Sequence, residues 1–227
     1  MDVLDTYSGH TDPGGAAIRR RLDGLIITKI SVGPMDNNAF LLVCRATNEA
    51  LLLDAAAEPD RLADLIGSGD DRPELRTLVT SHRHADHWQA LGAVAGMFQP
   101  HLIAHPIDAP ELPVPMDELV EHGDTIRFGR IELEVIHLRG HTQGSIALLY
   151  RGADHPHLFS ADSLFPGGPG RTWSEPDYWS LVADLEARVF DVLPDDTWVY
   201  PGHGDDTTLG KERPSIPDWK ARGWVDG

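Results

Sequence analysis

Apolar residues recur along the chain in short, dense runs whose length and β-branched content are those of buried strands. Leu25-Ile26-Ile27-Thr28-Lys29-Ile30, Ala39-Phe40-Leu41-Leu42-Val43-Cys44 and Ala50-Leu51-Leu52-Leu53-Asp54 predict three strands, with Asp36-Asn37-Asn38 as the turn between the first two. Glu58 to Ile66 predicts a short helix, closed by Gly67-Ser68-Gly69-Asp70-Asp71. Leu75-Arg76-Thr77-Leu78-Val79-Thr80 reads as a buried strand. From Asp86 to Phe98 the spacing changes to that of a helix, through Trp88, Leu91, Val94, Ala95 and Phe98. His101 to Ala104 is a short strand, and the proline-rich stretch Pro106 to Met116 is surface loop.

A second group of strands follows. Ile126-Arg127-Phe128 and Ile131 to Ile136 alternate with period two and predict a hairpin over Gly129-Arg130. Ser145 to Tyr150, Leu158 to Ala161 and Thr197 to Tyr200 are further strands. Tyr178 to Val192 reads as an amphipathic helix with Trp179, Val182, Leu185 and Val189 on one face, and Ser174 and Pro176 suit its start. The order suggests two similar β-then-α halves, packed sheet to sheet with helices outside. It divides into a loosely held N-terminal arm (1–24), one catalytic domain (25–210) and a C-terminal tail (211–227).

Composition narrows the function. At 227 residues the chain can bury a sizeable core, and 41% apolar with 24% charged residues is ordinary for a soluble globular protein. A formal charge of −17 weighs against nucleic-acid partners, which need a basic footprint. The one basic run, Arg19-Arg20-Arg21, reads as a solvated face. No apolar run approaches the roughly 20 residues of a membrane span, and the start lacks a secretory pattern, so the expected location is cytoplasmic. Cys44 is the sole cysteine, which excludes an internal disulfide and a thiolate-rich zinc site.

The chemistry concentrates in His82-Arg83-His84-Ala85-Asp86-His87, on the turn between a strand's carboxyl end and a helix. Open α/β sheets place ligands at that edge. His141, Asp162 and His203 each follow a predicted strand and are flanked by small or turn-forming residues: Gly140-His141-Thr142, Ala161-Asp162-Ser163 and Gly202-His203-Gly204. His10, His101, His105, His122, His137, His155 and His157 lack that setting and are read as non-ligands. His82, His84 and His141 can make one tri-histidine site, and Asp86, His87 and His203 a second, with Asp162 bridging. Imidazole and carboxylate suit zinc, iron or manganese. A metal pair about 3.5–4 Å apart that shares a water is suited to hydrolysis at neutral pH.

Thr80-Ser81-His82-Arg83-His84-Ala85-Asp86-His87, followed by His141, Asp162 and His203 and preceded by Asp54, resembles the metallo-β-lactamase fold superfamily. The resemblance covers roughly residues 25–210 and implies a four-layer αββα sandwich, an α/β fold, with two divalent metal ions, zinc foremost and iron or manganese as alternatives. Within it, Gly140-His141-Thr142-Gln143-Gly144-Ser145, Ser160-Ala161-Asp162-Ser163-Leu164-Phe165 and Pro201-Gly202-His203-Gly204-Asp205-Asp206 resemble short single-domain glyoxalase II-type enzymes, which are similar to hydroxyacylglutathione hydrolases. Full-length members carry a C-terminal helical domain that helps hold glutathione, whereas 24 residues follow His203 here. Trp173 stands where short members often have an acid.

The resemblance implies a small acyl-thiol substrate and thioester hydrolysis by a hydroxide shared between the metals, oriented by Asp86 as catalytic residue. Arg171, Trp173 and Lys211 are candidates for substrate contact, while Trp179, Trp198, Trp219 and Trp224 read as packing residues. The same residues leave two alternatives: a persulfide dioxygenase holding one iron on His82, His141 and Asp162, and a lactone or other ester hydrolase. Asp162 and His84 exclude the cysteine-ligand zinc β-lactamases and the flavodiiron reductases. The insertion and basic surfaces of the nuclease members are missing.

Overall fold

The computed structural model describes residues 1–68 and 72–225. Its first sheet contains eight strands in sequential order: β1 (Val3–Leu4), β2 (Ala17–Arg21), β3 (Leu25–Val32), β4 (Asn37–Cys44), β5 (Glu49–Leu53), β6 (Glu74–Val79), β7 (His101–Ala104) and β8 (Glu118–Leu119). Helices α1 (Pro59–Gly67) and α2 (Leu91–Phe98) cross over between its parallel strands β5, β6 and β7. The second sheet uses β9 (Thr125–Phe128), β10 (Ile131–His137), β11 (Ile146–Arg151) and β12 (Pro156–Ala161). A ribbon of β13 (Leu164–Phe165) and β14 (Gly168–Pro169) and helix α3 (Glu175–Leu185) precede its remaining strands, β15 (Trp198–Pro201) and β16 (Thr207–Thr208). The six strands lie in the order β16-β15-β12-β11-β10-β9, with β12 and β15 parallel. Helices α4 (Leu209–Glu212) and α5 (Ile216–Arg222) follow β16.

Strand alternation sorts the side chains into three cores. Leu25, Ile27, Phe40, Leu42 and Leu51 of the first sheet meet Leu133, Val135, Leu148, Phe159 and Tyr200 of the second, forming the layer between the sheets. The intervening residues point outward. Ile30, Leu41 and Leu52 pack on Leu62, Leu65, Leu91 and Val94 of α1 and α2, while Ile136, Ala147, Leu158 and Val199 pack on Leu181 and Leu185 of α3. Strands covered on both faces must be apolar at nearly every position, which is why their sequences read as continuous runs. The result is the expected four-layer αββα sandwich. Among the described residues no helix is long and apolar enough to cross a membrane.

Several expectations need correction. The N-terminal segment is not a loose arm: Ala17 and Ile18 are buried, and β2 pairs with β3 from Ile18–Lys29 to Arg21–Ile26. Nor is the arginine run a solvated face. The Arg20 guanidinium lies 3.7 Å from the Trp198 ring centroid and 4.3 Å from that of Tyr7, a cation held by aromatic faces. Asn37 and Asn38, read as turn, are buried in β4.

The helix expected from Asp86 begins only at Leu91. Residues Ala85–His87 form a 3-10 turn, and the Gln89 and Ala90 amides donate to the Ala56 and Ala55 carbonyls rather than to a helical ladder. In the helix expected over Tyr178 to Val192, α3 starts earlier, with the Ser174 hydroxyl accepting from the Asp177 amide, and ends in a π turn at Glu186–Phe190. Its buried stripe is Tyr178, Leu181, Val182 and Leu185, which leaves Trp179 partly exposed. Of the predicted helix closure, Gly69, Asp70 and Asp71 lie outside the described residues, as do Asp226 and Gly227 of the tail.

The tail packs as well. Trp219 of α5 is 3% exposed in the outer core of the second sheet, and the Tyr178 hydroxyl donates to its carbonyl at 2.8 Å. Replacing it by Trp219→Ala is expected to lower unfolding stability by about 3–5 kcal/mol, read as a reduced urea midpoint with an unchanged slope.

Candidate metal centre

Five chain segments meet where strands of both sheets end. Asp54 follows β5 with a φ of 58°, and its carboxylate accepts from the Ser81 amide and the Ser81 hydroxyl, both at 2.7 Å, and pairs with His87 Nδ1 at 2.9 Å. That fixes the turn carrying His82, His84, Asp86 and His87. His141 enters after β10 through Gly140, at a φ of 139°, where a Cβ would collide with the Asp177 carbonyl. Asp162 follows β12, and His203 follows β15. Gly202 leaves the space into which the Asp162 carboxylate and the His87 ring fit; a Cβ there would overlap both.

The structure brings all seven candidate ligands together. His84 Nδ1 lies 2.8 Å from His141 Nε2, which lies 3.2 Å from His82 Nε2. His87 Nε2 lies 3.2 Å from His203 Nε2, and Asp86 Oδ2 is 3.3 Å from the same His203 nitrogen. Asp162 stands between the two groups, with Oδ1 3.3 Å from His87 Nε2 and Oδ2 3.4 Å from both His141 and His203 Nε2. His82, His84 and His141 form one set that could hold an ion; Asp86, His87 and His203 form another.

Proton placement tests whether these residues fit cations. His141 Nδ1 is 2.7 Å from the Arg171 carbonyl and His203 Nδ1 is 2.8 Å from the Met35 carbonyl; carbonyls only accept, so each Nδ1 carries hydrogen. The Asp54 carboxylate imposes the same on His87. Ser81 Oγ spends its hydrogen on Asp54 and therefore accepts from His82 Nδ1 at 2.9 Å. In the neutral rings, four Nε2 lone pairs then face one another, a repulsive arrangement without a positive charge among them. Asp162 Oδ1 is buried with no hydrogen-bond partner among the described residues. The residues fit metal ions, and a set made of nitrogen and oxygen suits zinc, iron or manganese.

Electrostatics follow from the same packing. Burial pushes His82 well below the usual imidazole range, and the neighbouring His87 lowers it further. Burial also pushes His203 down, but bonds to Asp162 and Asp86 outweigh it and raise its pKa to about 10. The hydrogen bond with His203 holds Asp86 below the carboxylate range, and Asn37 Nδ2, donating at 2.9 Å, adds to this. A proton on His203 thus stands in for the cation among these carboxylates.

The remaining candidates divide. Trp173 lies at the rim, 57% exposed, its ring edge-on to His84 at 6.0 Å between centroids. The Arg171 guanidinium lies 4.5 Å from the Trp173 ring centroid, while the Arg171 carbonyl orients His141. Lys211 is exposed on α4 and makes no hydrogen bond or ion pair with the histidine group among the described residues. The seven histidines read as non-ligands stay outside every candidate set there.

Sequence reading passed over Asn37, which holds Asp86, and Asp108. The 1%-exposed Asp108 carboxylate accepts from the Arg83 amide at 3.0 Å, the Thr142 hydroxyl at 2.5 Å and the Gly144 amide at 3.0 Å, tying the first histidine turn to the His141 loop. Neither has a local signal. Asn37 looked like a turn residue, and Asp108 sits in a proline-rich loop.

Fold and site together define a metal-binding α/β sandwich of the hydrolase class. The profile of the Metallo-beta-lactamase superfamily matches residues 32–203, and the chain belongs to that superfamily. It is 32% identical to an uncharacterized protein of Aquifex aeolicus over 85% of this chain and 96% of that one. It is 34% identical to the hydroxyacylglutathione hydrolase of a Polaromonas species over 79% of this chain, and spans 66% of that longer relative. Among solved structures it is similar to the BLEG-1 B3 metallo-beta-lactamase (26% identity, TM-score 0.75, 85% of this chain and 98% of that). ETHE1 from Myxococcus xanthus gives 29%, a TM-score of 0.73, and coverage of 84% and 83%. TTHA1623 in a di-iron-bound form gives 28%, 0.70, and coverage of 84% and 98%.

Two outcomes are expected. Asp54→Ala lowers metal affinity by about 10- to 100-fold, as removal of a partner behind a ligand does, measured by competition with a chromophoric chelator. Returning zinc to the stripped chain at about 100 times its Kd raises stability by about 2.7 kcal/mol per site, read as an increase in Tm; an unchanged Tm would contradict a metal centre.

Proposed function

We propose that the protein is a thioester hydrolase that splits a small acyl-thiol substrate into acid and thiol at a pair of divalent metal ions, with zinc the first candidate. The observation carrying this reading is the undivided set of seven nitrogen and oxygen ligands, with the Asp162 carboxylate facing both groups. The likeness to hydroxyacylglutathione hydrolases supports the substrate class. His82, His84 and His141 would hold one ion, Asp86, His87 and His203 the other, and Asp162 both. Ions so held supply an ionised water at neutral pH and polarise a carbonyl oxygen.

The chain's own residues set the geometry of attack. Asp86 is kept ionised by His203 and Asn37. A carboxylate held that acidic retains no proton near neutral pH, so its role is to accept a hydrogen bond and aim the attacking water, rather than to store a proton. The leaving thiol has an ordinary pKa near about 8.5 and departs with little acid help, which matches a site whose nearest side chains are bases and carboxylates. Trp173 offers an exposed apolar plate beside His84 on which the substrate can lie.

Asp86→Asn is expected to lower kcat for S-lactoylglutathione by at least about 10²-fold in metal-loaded protein. Absence of turnover with every acyl-thiol tested, by the fully loaded wild-type chain, would overturn the proposal. Oxygen uptake with a persulfide at one iron per chain would select the dioxygenase instead, and turnover of lactones alone would select the ester hydrolase.

A further inference from the structure

The layer between the sheets holds a fully buried cation. Lys29 lies on β3 in alternation with Leu25 and Ile27, where an apolar residue belongs, and its side chain is 0% exposed. Its three ammonium donors are all used: Gly9 O at 2.8 Å, Gly204 O at 2.6 Å and Asp206 Oδ1 at 2.7 Å. Asp206, whose side chain is also 0% exposed, accepts on Oδ2 from the Tyr7 hydroxyl at 2.7 Å and from Trp198 Nε1 at 2.9 Å. Gly204 and Asp206 belong to the loop that carries His203. Asn38 adds bonds from Nδ2 to the Pro201 and Gly204 carbonyls, each at 2.9 Å.

None of these contacts reaches the first histidine group. His82 is held through Ser81 and Asp54, the loop of His141 through Asp108, and the His141 ring through the Arg171 carbonyl. Asp54 supports both sets, through His82 of the first and His87 of the second, whereas the Lys29 clamp bears on the loop of His203 alone. His203 is thus the one ligand of the second set that the clamp can displace without touching the first.

We infer that Lys29 is a positioning residue for the second metal, acting through the 204–206 loop on His203, so that the Lys29–Asp206–Tyr7 clamp decides whether the chain holds two ions or one. This rests on the two-ion reading of the site. A buried ion pair contributes little net stability against an apolar pair of equal volume, so its value lies in fixing where the loop stands. The N-terminal segment is part of the device, since Gly9 and Tyr7 supply two of its contacts.

The test counts metal rather than turnover. Wild type, Lys29→Met, the charge-free double substitution Lys29→Met/Asp206→Asn, and Tyr7→Phe are checked for folding by far-UV circular dichroism. Each is then titrated with zinc by calorimetry and dialysed for elemental analysis. The expected result is two ions in wild type. In the Lys29 variants the first ion binds as before and the second is weakened by about tenfold or more, with Tyr7→Phe shifting the second step alone by a smaller factor. If Lys29→Met fails to fold, the double substitution and Tyr7→Phe carry the same comparison. An unchanged second step, or equal weakening of both, overturns the inference. A wild type that binds no zinc, or one ion only, overturns the two-ion reading itself.

Discussion

Imidazole nitrogens and carboxylate oxygens turned toward one another around one place are the constraint around which this molecule is arranged. Four of the five rings, those of His82, His87, His141 and His203, are held in that posture from behind by a partner that can only accept: the Arg171 and Met35 carbonyls, the Asp54 carboxylate, and Ser81 once its own hydrogen is committed. The repulsion is local and the restraint is distributed over both sheets. Relaxing it would mean breaking buried hydrogen bonds at the ends of β5, β6, β10, β12 and β15. A preorganised site of this kind meets a cation without reorganising, which is the physical content of calling it a metal centre.

The sandwich is held by different means along its depth. Through most of the inter-sheet layer Phe40, Phe159 and Tyr200 pack edge-on or stacked, with centroids 4.6 to 5.7 Å apart. Burial of apolar area suffices there. Near the ligand edge the second sheet presents loop carbonyls of Pro201, Gly202 and Gly204, and apolar packing would leave them unsatisfied at a cost of about 1–3 kcal/mol each. Among the buried polar residues of β3 and β4, Lys29 and Asn38 answer those carbonyls. The strand pattern breaks where the backbone of the facing layer needs donors.

What was legible in the sequence follows from this division. Strands buried on both faces announce themselves as apolar runs, and residues such as Leu41 and Leu52 could be assigned to the core without coordinates. The ligands were legible because histidines after strands, flanked by glycine, have few other uses. Their supports were not. Asn37 is indistinguishable by composition from a turn residue, Asp108 lies far along the chain from the loops it ties, and Lys29 resembles any strand lysine. Arg20 failed for a related reason: its stacking on Trp198 joins positions distant in the chain, and a run of three arginines carries no mark of it. The α2 boundary failed because the amides of Gln89 and Ala90 were claimed by the loop after β5. Each miss is a long-range hydrogen bond or ring contact overriding a local pattern.

Charge accounts for the composition of the centre. Asp54, Asp86 and Asp162 place three carboxylates within or directly behind it, the first and last nearly inaccessible to water. A buried carboxylate stays ionised only against nearby positive charge, and Asp162 and Asp86 draw it onto His203, whose pKa they raise to about 10. On the proposed two-ion reading, a pair of divalent ions would bring four positive charges to the same place. Three carboxylates would leave one of those uncompensated, and a water added to that field would be driven toward its ionised form. The acidity of the site and its hydrolytic reading would then have one origin: carboxylates numerous enough to recruit two cations and one short of neutralising them.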